Sequence, residues 1–140
     1  MIIPNPLSSH AENLVLHVED DRFMRAVVES ALVSNGYQVE SAGDGLEGLT
    51  AFIQHRQTLS LILTDLDMPR CNGLQFVRAI RTEDPHIPIV VMSGSGDETS
   101  VDELRKLGVG AFLRKPCRLE LLLTTIAESI DSVKTHDSVK

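Results

Sequence analysis

Acidic, hydroxyl and ammonium side chains follow four short apolar segments of this chain. They are Glu19, Asp20, Asp21, Asp65, Asp67, Ser93 and Lys115. Carboxylates that lie close together raise one another's pKa or recruit a cation. Oxygen ligands around an open position suit Mg²⁺, which keeps several waters and favours phosphate as a further ligand. If these side chains meet, they make a site for phosphoryl transfer, a reaction that depends mainly on positioning and electrostatics.

Each residue type would have a distinct use in such a site. Asp65 would be the nucleophile and would form an aspartyl phosphate. The metal and Lys115 would offset charge on the equatorial phosphoryl oxygens, and Ser93 would hydrogen-bond to one of them. Each signal alone is weak, because adjacent acids after a strand often cap a helix. The hypothesis therefore depends on a fold that brings these residues together.

Apolar periodicity predicts five strand–helix units. The runs Leu14–Val18 and Leu59–Thr64 are predicted strands, and the second lacks alternation, which is typical of a strand buried on both faces. The clearest helical stripe lies between Leu119 and Ile130. Strands separated by helices imply parallel pairing with right-handed crossovers. We predict an α/β fold, a doubly wound five-stranded parallel sheet in the flavodoxin-like order 2-1-3-4-5 with five helices. Sites in such sheets form beyond the carboxyl ends of the strands.

Composition and charge exclude several classes of protein. The 140 residues suit a single domain, predicted over residues 13–131 with polar tails at 1–12 and 132–140. A net charge of −7 argues against a nucleic-acid-binding surface. The longest apolar run is far shorter than the roughly 20 residues that span a bilayer, and the first residues do not resemble a secretory signal. We expect a cytoplasmic protein with no membrane contact and no direct binding to nucleic acid.

Four short motifs occur in order, each at the end of a predicted strand. They are VEDD at the first strand, LILTDLDMP around Asp65, the pair Met92-Ser93, and Arg114-Lys115-Pro116. Together they resemble the receiver domain of two-component response regulators over roughly residues 13–131. The resemblance implies that Asp65 is the phosphoacceptor and a metal ligand, that Lys115 and Ser93 contact the phosphoryl group, and that the cofactor is Mg²⁺ or Mn²⁺. It also implies a cis peptide bond before the proline.

The VEDD motif offers three acids for two metal-binding roles. In the family the acidic pair precedes an arginine of the first helix by a fixed interval, and counting back from Arg25 favours Glu19 and Asp20. Asp20 would then bind the metal directly and Glu19 through water. Asp21 would start the helix, where an acid suits the positive end of the helix dipole. The resemblance further assigns the backbone carbonyl of Asp67 to the metal.

The resemblance also implies a switch and a set of partners. Phe112 stands at the aromatic switch position, where tyrosine is frequent, and Ser93 stands where threonine is frequent. Phosphorylation would draw Ser93 inward, let Phe112 pack into the vacated space, and alter the face made by the fourth helix, fifth strand and fifth helix. The phosphodonor would be a sensor histidine kinase or a histidine phosphotransfer protein. The altered face would bind an unidentified downstream protein, and the receiver would be a monomer or a phosphorylation-dependent dimer.

Other functions fit the residues less well. The spacing of Asp65 and Asp67 is similar to the DxD motif of haloacid-dehalogenase-type phosphatases. In those proteins the motif follows the first strand and usually precedes Gly-Thr, whereas here it follows the third predicted strand and precedes Met-Pro. Flavin binding is disfavoured because acids after the first strand would repel the flavin phosphate, and the chain has no Trp and one Tyr. A module unable to take phosphate would need a broken acidic pocket or a missing lysine. We therefore expect a phosphoacceptor that assists only its own phosphorylation and dephosphorylation, not an enzyme.

Overall fold

A five-stranded parallel sheet lies at the centre of the molecule, with helices on both faces. The computed structural model describes residues 12–68, 71–94 and 98–139. The strands in these ranges are β1 (Leu14–Val18), β2 (Gln38–Ala42), β3 (Leu59–Asp65), β4 (Ile89–Ser93) and β5 (Ala111–Arg114). The helices in these ranges are α1 (Arg22–Ser34), α2 (Gly45–His55), α3 (Gly73–Glu83), α4 (Glu98–Lys106) and α5 (Leu119–Val139).

The order of the strands determines where the acids that follow β1 and end β3 lie in the fold. The order is β2-β1-β3-β4-β5 and every pair is parallel, which confirms the predicted fold class. The chain adds β2 on one side of β1 and then adds β3, β4 and β5 on the other side. A crevice forms beyond the carboxyl ends of the strands where the order reverses. Glu19 directly follows β1 and Asp65 ends β3, so both lie at this crevice.

The strand β3 is held on both of its faces. Leu61, Ile62 and Leu63 are completely buried. Ile62 packs in one apolar core with Phe76, whereas Leu61 and Leu63 pack in the core on the opposite face with Ile126. Burial on both faces explains why the run has no polar alternation. It also fixes the position of the end of β3, where Asp65 carries its carboxylate.

The start of α3 packs directly against the end of β3. Asn72 caps this helix by a reciprocal pair of hydrogen bonds with Gln75, which satisfies backbone groups that the helix leaves unpaired. The first helical residue, Gly73, donates its N–H to the carbonyl oxygen of Leu66 at 3.0 Å. A Cβ at Gly73 would lie 2.6 Å from the carbonyl oxygen of Asp65, so only glycine permits this approach.

The helix α5 continues beyond the apolar stripe that ends at Ile130. It reaches Val139 and so extends through most of residues 132–140, which their polar, aperiodic sequence predicts to be a tail. The segment contains no glycine or proline to end the helix, and adding a turn to a formed helix needs no new nucleus. The other predicted tail, residues 1–12, lies outside the described residues except for Glu12, and the limits of the domain stay a prediction. No described helix, α5 included, is long and apolar enough to cross a membrane.

The close contact of Gly73 with the backbone of Asp65 and Leu66 predicts that one added methyl group at Gly73 lowers the stability of the fold. We expect Gly73→Ala to lower the free energy of unfolding by about 2 kcal/mol, because its Cβ would meet the backbone of Asp65 and Leu66 at 2.6 Å. Urea denaturation measures the change. Gly110→Ala is the matched control, since nothing lies within 4 Å of a Cβ there, and it should change stability by less than about 0.5 kcal/mol. Equal effects of the two variants would contradict the close approach of Gly73 to the backbone of Asp65 and Leu66.

Candidate functional site

The ammonium group of Lys115 joins the carboxyl ends of the central strands. Its Nζ lies 2.8 Å from Glu19 Oε1 and 3.0 Å from Asp65 Oδ2. Lys115 directly follows β5, and its backbone N–H donates to the carbonyl oxygen of Ser93 at 2.9 Å. The peptide bond between Lys115 and Pro116 is cis. Because β4 lies between β5 and β3, the lysine side chain must reach across the end of β4 to meet the two acids.

Three carboxylates face one another beside this lysine. One oxygen from each of Glu19, Asp20 and Asp65 lies within 4.8 Å of the other two. The side chains of Glu19 and Asp65 are only 2% and 4% exposed, whereas Asp20 is open to solvent. The cluster therefore has a buried wall and one accessible side. Oxygen donors of this kind fit hard divalent cations such as Mg²⁺ or Mn²⁺.

Local hydrogen bonds distinguish the acid of the VEDD motif that caps α1 from the two that lie in the cluster. Glu19 Oε2 accepts a hydrogen bond from the N–H of Asp21 at 3.2 Å, and the Glu19 carbonyl oxygen accepts one from Arg25 Nη1 at 2.8 Å. Asp21 caps α1, because its Oδ1 accepts the N–H of Met24 at 3.0 Å. This confirms that Asp21 starts the helix. Glu19 and Asp20 are the two acids that lie in the cluster.

The loop after β3 connects Asp65 to the end of β4. The N–H of Asp67 donates to Asp65 Oδ1 at 3.1 Å, and Asp67 Oδ2 accepts the N–H of Gly94 at 3.3 Å. The backbone of Asp67 thus lies beside the carboxylate of Asp65, and ligation of a metal by its carbonyl stays a prediction. Sequence reasoning missed the contact with Gly94, because a backbone amide leaves no signal in the residue pattern.

Burial and charge set the protonation of the cluster. Burial raises the pKa of Asp65 to about 6, although the hydrogen bond from Lys115 opposes the shift. Burial acts on Glu19 in the same direction, but hydrogen bonds from Lys115 and from the Asp21 amide outweigh it and lower the pKa of Glu19. Desolvation and the neighbouring Glu19 raise the pKa of Asp20. Three carboxylates against one ammonium leave excess negative charge, which a divalent cation would balance.

His17, which precedes the acids on β1, carries no charge at neutral pH. His17 lies on β1 two residues before Glu19, and its side chain is almost completely buried. Burial lowers the pKa of His17 to about 4. Its Nδ1 has no hydrogen-bond partner among the described residues. The imidazole is therefore a packed, neutral part of the strand, and it adds no positive charge to the cluster.

The two predicted switch residues lie on the two strands that follow β3 in the sheet, Ser93 on β4 and Phe112 on the edge strand β5. Ser93 ends β4, one residue after Met92, which pairs with Asp65 in the sheet. Phe112 lies on β5 and is half-buried against the apolar core of that face. The guanidinium of Arg105 lies 5.4 Å from the centroid of the Phe112 ring, within the range of a cation–π contact. No sequence motif indicates this contact, because the two residues belong to different elements.

Comparison with known proteins identifies the family. The profile of the response regulator receiver domain matches residues 15–127 of this chain. The response regulator MprA of Mycobacterium leprae is 34% identical over 128 residues, which cover 90% of this chain and 54% of that protein. The response regulator protein FleR of Pseudomonas aeruginosa is 34% identical over 116 residues, which cover 81% of this chain and 24% of that protein. The chain thus spans about half the length of the first relative and about a quarter of the second.

Solved structures show the same architecture. A response regulator receiver domain protein from Clostridium thermocellum aligns with a TM-score of 0.83 at 26% identity, covering 88% of this chain and 98% of that one. The chemotaxis protein CheY4 of Vibrio cholerae aligns with a TM-score of 0.79 at 31% identity, covering 85% of this chain and 99% of that one. With the profile match over most of its length, the chain belongs to the response regulator receiver domain family.

The raised pKa of Asp65 predicts that its charge costs stability when no divalent cation is present. Folding shifts this pKa from 3.8 to about 6, so the stabilisation is full below pH 3.8 and is lost as the pH rises through about 6. We therefore expect Asp65→Asn to raise the free energy of unfolding at pH 7.5 by about 1–3 kcal/mol, with a smaller difference near pH 4. Urea denaturation with a chelator at both pH values checks this.

The matched control for this prediction is the exposed neighbouring carboxylate. Asp67→Asn keeps an oxygen that can accept the N–H of Gly94, and it should change stability by less than about 0.5 kcal/mol at either pH. If Asp65→Asn is less stable than the unchanged protein at pH 7.5, the assigned direction of the pKa shift is wrong.

Proposed function

We propose that this receiver takes a phosphoryl group onto Asp65 from a phosphohistidine of a sensor histidine kinase or a histidine phosphotransfer protein. The observation that carries the proposal is the contact of the Lys115 ammonium with both Glu19 and Asp65, beside the three-carboxylate cluster. A nucleophile, a fixed positive charge and oxygen ligands thereby share one small volume. Membership of the receiver family supports the same assignment.

The proposed reaction is an in-line transfer between two partners. An oxygen of the Asp65 carboxylate attacks the phosphorus, an O–P bond forms, and the N–P bond of the phosphohistidine breaks. The electron pair of the N–P bond stays on the donor imidazole. Lys115, 3.0 Å from Asp65 Oδ2, lies where it can offset charge on the phosphoryl oxygens. The hydroxyl of Ser93, at the end of the next strand, supplies a hydrogen-bond donor to one of these oxygens.

The oxygen ligands of the cluster fit Mg²⁺ or Mn²⁺. The carboxylates of Asp20 and Asp65 and the backbone carbonyl of Asp67 would hold the ion, with Glu19 in support. The bound ion supplies positive charge that allows an anionic carboxylate to approach an anionic phosphoryl group. Glu19 is buried and hydrogen-bonded to Lys115 at 2.8 Å, so it also orients the lysine towards the nucleophile.

The phosphoryl group leaves by hydrolysis. Water attacks the phosphorus, the bond between phosphorus and the Asp65 oxygen breaks, the carboxylate is restored, and inorganic phosphate leaves with the oxygen and protons of the water. The protein thus assists its own phosphorylation and dephosphorylation, and we do not expect it to turn over a separate phosphate ester. It acts as a stand-alone regulator or as one part of a larger signalling protein in the cytoplasm.

Phosphorylation would be transmitted through the two switch residues. The Ser93 hydroxyl moves towards the phosphoryl group, and the half-buried Phe112 ring packs into the space that it leaves. Arg105 moves with the ring because its guanidinium lies 5.4 Å from the ring centroid. A shift of ~1–3 kcal/mol between two states is a typical coupling and would alter the face formed by α4, β5 and α5. A downstream protein that binds this face would then distinguish the two states.

Covalent labelling tests the phosphoacceptor. With radioactive acetyl phosphate and Mg²⁺ we expect label on the unchanged protein and none on Asp65→Asn, because the attacking oxygen is lost. Lys115→Ala should reduce the initial rate at least about tenfold, since it removes the fixed positive charge. Gel autoradiography with an acid-stability profile measures the label, and a chelator should abolish it.

The control variant is Asp131→Asn, which removes an exposed carboxylate on α5 far along the chain from the cluster. Its labelling should equal that of the unchanged protein. Undiminished labelling of Asp65→Asn would reject Asp65 as the acceptor. Rapid hydrolysis of p-nitrophenyl phosphate by the unchanged protein would instead indicate a phosphatase.

Beryllofluoride with Mg²⁺, which mimics a bound phosphoryl group, tests the switch. We expect it to shift the backbone amide signals of both Asp65 and Phe112 in nitrogen-15 correlation spectra of the unchanged protein. In Ser93→Ala the shift at Asp65 should persist and the shift at Phe112 should fall by more than about half, because the hydroxyl that links the two sites is gone. Ser34→Ala, an exposed serine at the end of α1, is the control. An unchanged Phe112 shift in Ser93→Ala would rule out transmission through this hydroxyl.

A further inference from the structure

A side chain of α1 holds the backbone of the acidic pair that follows β1. Arg25 Nη1 donates a hydrogen bond to the carbonyl oxygen of Glu19 at 2.8 Å, across the start of the helix. The backbone N–H of Arg25 donates to the carbonyl oxygen of Asp21 at 2.9 Å, so the same residue also closes the first turn of the helix. Arg25 therefore connects α1 to the residues that precede it through both its backbone and its side chain.

The carbonyl that Arg25 binds belongs to the same peptide unit as the amide of Asp20. A peptide unit is planar from one Cα to the next, so its carbonyl cannot turn without turning the amide as well. The N–H of Glu19 is already held by the carbonyl oxygen of Ala42 at 3.0 Å. The hydrogen bond from Arg25 thus fixes the orientation of the plane that leads to the Cα of Asp20.

Asp20 depends on this backbone support more than the other acids of the cluster do. Glu19 and Asp65 are buried and contact the ammonium of Lys115, whereas the Asp20 side chain is exposed. One oxygen of Asp20 lies within 4.8 Å of oxygens of both other acids, and like charges at this distance repel. An exposed carboxylate can rotate away from that repulsion, so its place in the cluster depends on its backbone.

The loop between β2 and α2 leaves room for the guanidinium of Arg25. A Cβ at Gly43 would lie 3.2 Å from Arg25 Nη1 and 3.0 Å from Glu47 Oε2. The same Glu47 oxygen accepts the N–H of Gly43 at 2.6 Å, and the Glu47 N–H donates to Asp44 Oδ1 at 2.8 Å. Hydrogen bonds at the start of α2 therefore hold this loop beside the arginine, and the planar guanidinium has a fixed place from which to reach Glu19.

The charge of Arg25 and its hydrogen bond act on a bound cation in opposite directions. A guanidinium beside a group of carboxylates repels a divalent cation, so removal of its charge alone would strengthen binding of the cation. Removal of its hydrogen bond would instead leave the Glu19 carbonyl without this donor and release the plane that carries Asp20. The direction of the change in affinity therefore distinguishes the two effects.

We propose that Arg25 is a positioning residue of the divalent-cation site, which holds Asp20 in place through the peptide unit that joins Glu19 to Asp20. The inference rests on the proposed function, because that proposal supplies the cation and makes Asp20 its ligand. Groups that orient the ligands of a metal contribute to its affinity without touching it, and their loss weakens binding by roughly 10–100-fold. The arginine thereby belongs to the metal site although its own charge repels the metal.

Magnesium titration of the full chain tests the positioning role. Arg25→Met keeps an unbranched side chain that favours the helix but removes the donors, and it should raise the Kd for Mg²⁺ about tenfold. The backbone amide signals of Asp65 and Leu66 report binding in nitrogen-15 correlation spectra. The Mg²⁺ concentration that gives half-maximal labelling by acetyl phosphate should rise by the same factor. Urea denaturation with a chelator reports any loss of stability separately.

Two further variants separate the hydrogen bond from the charge. Arg25→Lys retains the charge and a donor on a flexible stem, and its Kd should lie between those of Arg25→Met and the unchanged protein. Arg22→Met is the matched control, because it makes the same change in net charge at an exposed arginine in the first turn of α1. Its Kd should stay within about twofold of that of the unchanged protein, since an exposed charge is screened by salt.

Each outcome decides a separate claim. Unchanged or tighter Mg²⁺ binding by folded Arg25→Met, or equal weakening by Arg22→Met, would overturn the positioning role. If Arg25→Met does not fold, the same criterion applies to Arg25→Gln, which removes the charge and shortens the reach of the side chain. Absence of Mg²⁺ binding by the unchanged protein would refute the metal site and this inference with it. Failure of acetyl phosphate to label a protein that binds Mg²⁺ would refute Asp65 as the acceptor alone, because the titration is read independently.

Discussion

The shared ion pair of Lys115 with Glu19 and Asp65 is the interaction on which the rest of the site depends. Each of these residues lies at the end of a different strand, so the contact exists only when β1, β3 and β5 hold their places in the sheet. Burying two carboxylates without a partner would cost several kcal/mol, and the ammonium offsets much of that cost. One lysine cannot neutralise two acids and Asp20 as well. The fold can therefore bury the carboxylates of the cluster, and the negative charge that remains can be balanced by a divalent cation.

The parallel sheet holds Asp65 rigidly and leaves the neighbouring acids accessible to solvent. β3 is buried on both faces, and α3 begins against its last carbonyl through Gly73, so the backbone below Asp65 has little freedom to move. Asp20 and Asp67, in contrast, lie on loops and are exposed. A fixed carboxylate beside accessible oxygen ligands would suit the proposed transfer from a protein donor, since phosphoryl transfer depends mainly on positioning.

Charge is segregated along the same sheet edge. The acids collect at the ends of β1 and β3, and exposed cations collect around β5, with Lys115 as the residue between the two regions. Phe112 lies on β5 three residues before Lys115, and its ring centroid lies 5.4 Å from the guanidinium of Arg105. A change in the position of this ring would therefore alter the arrangement of positive charge on the surface. Such a change would couple the proposed phosphorylation to the surface charge around β5.

The sequence by itself determined the alternation of strands and helices, because burial on both faces leaves an uninterrupted apolar run such as Leu61–Leu63. The alternation in turn predicted parallel pairing, the strand order and the rim at which the acids lie. The interval to Arg25 that the resemblance implies assigned Asp21 to the start of the helix, and the structure confirms the cap. The prediction that α5 ends near Ile130 was wrong. The helix continues to Val139, and its last residues are polar and so leave no apolar periodicity to indicate a helix. Only the tertiary structure decided the raised pKa of Asp65 and the stacking of Arg105 on Phe112. Both depend on distance and burial between residues on different elements, which no local pattern encodes.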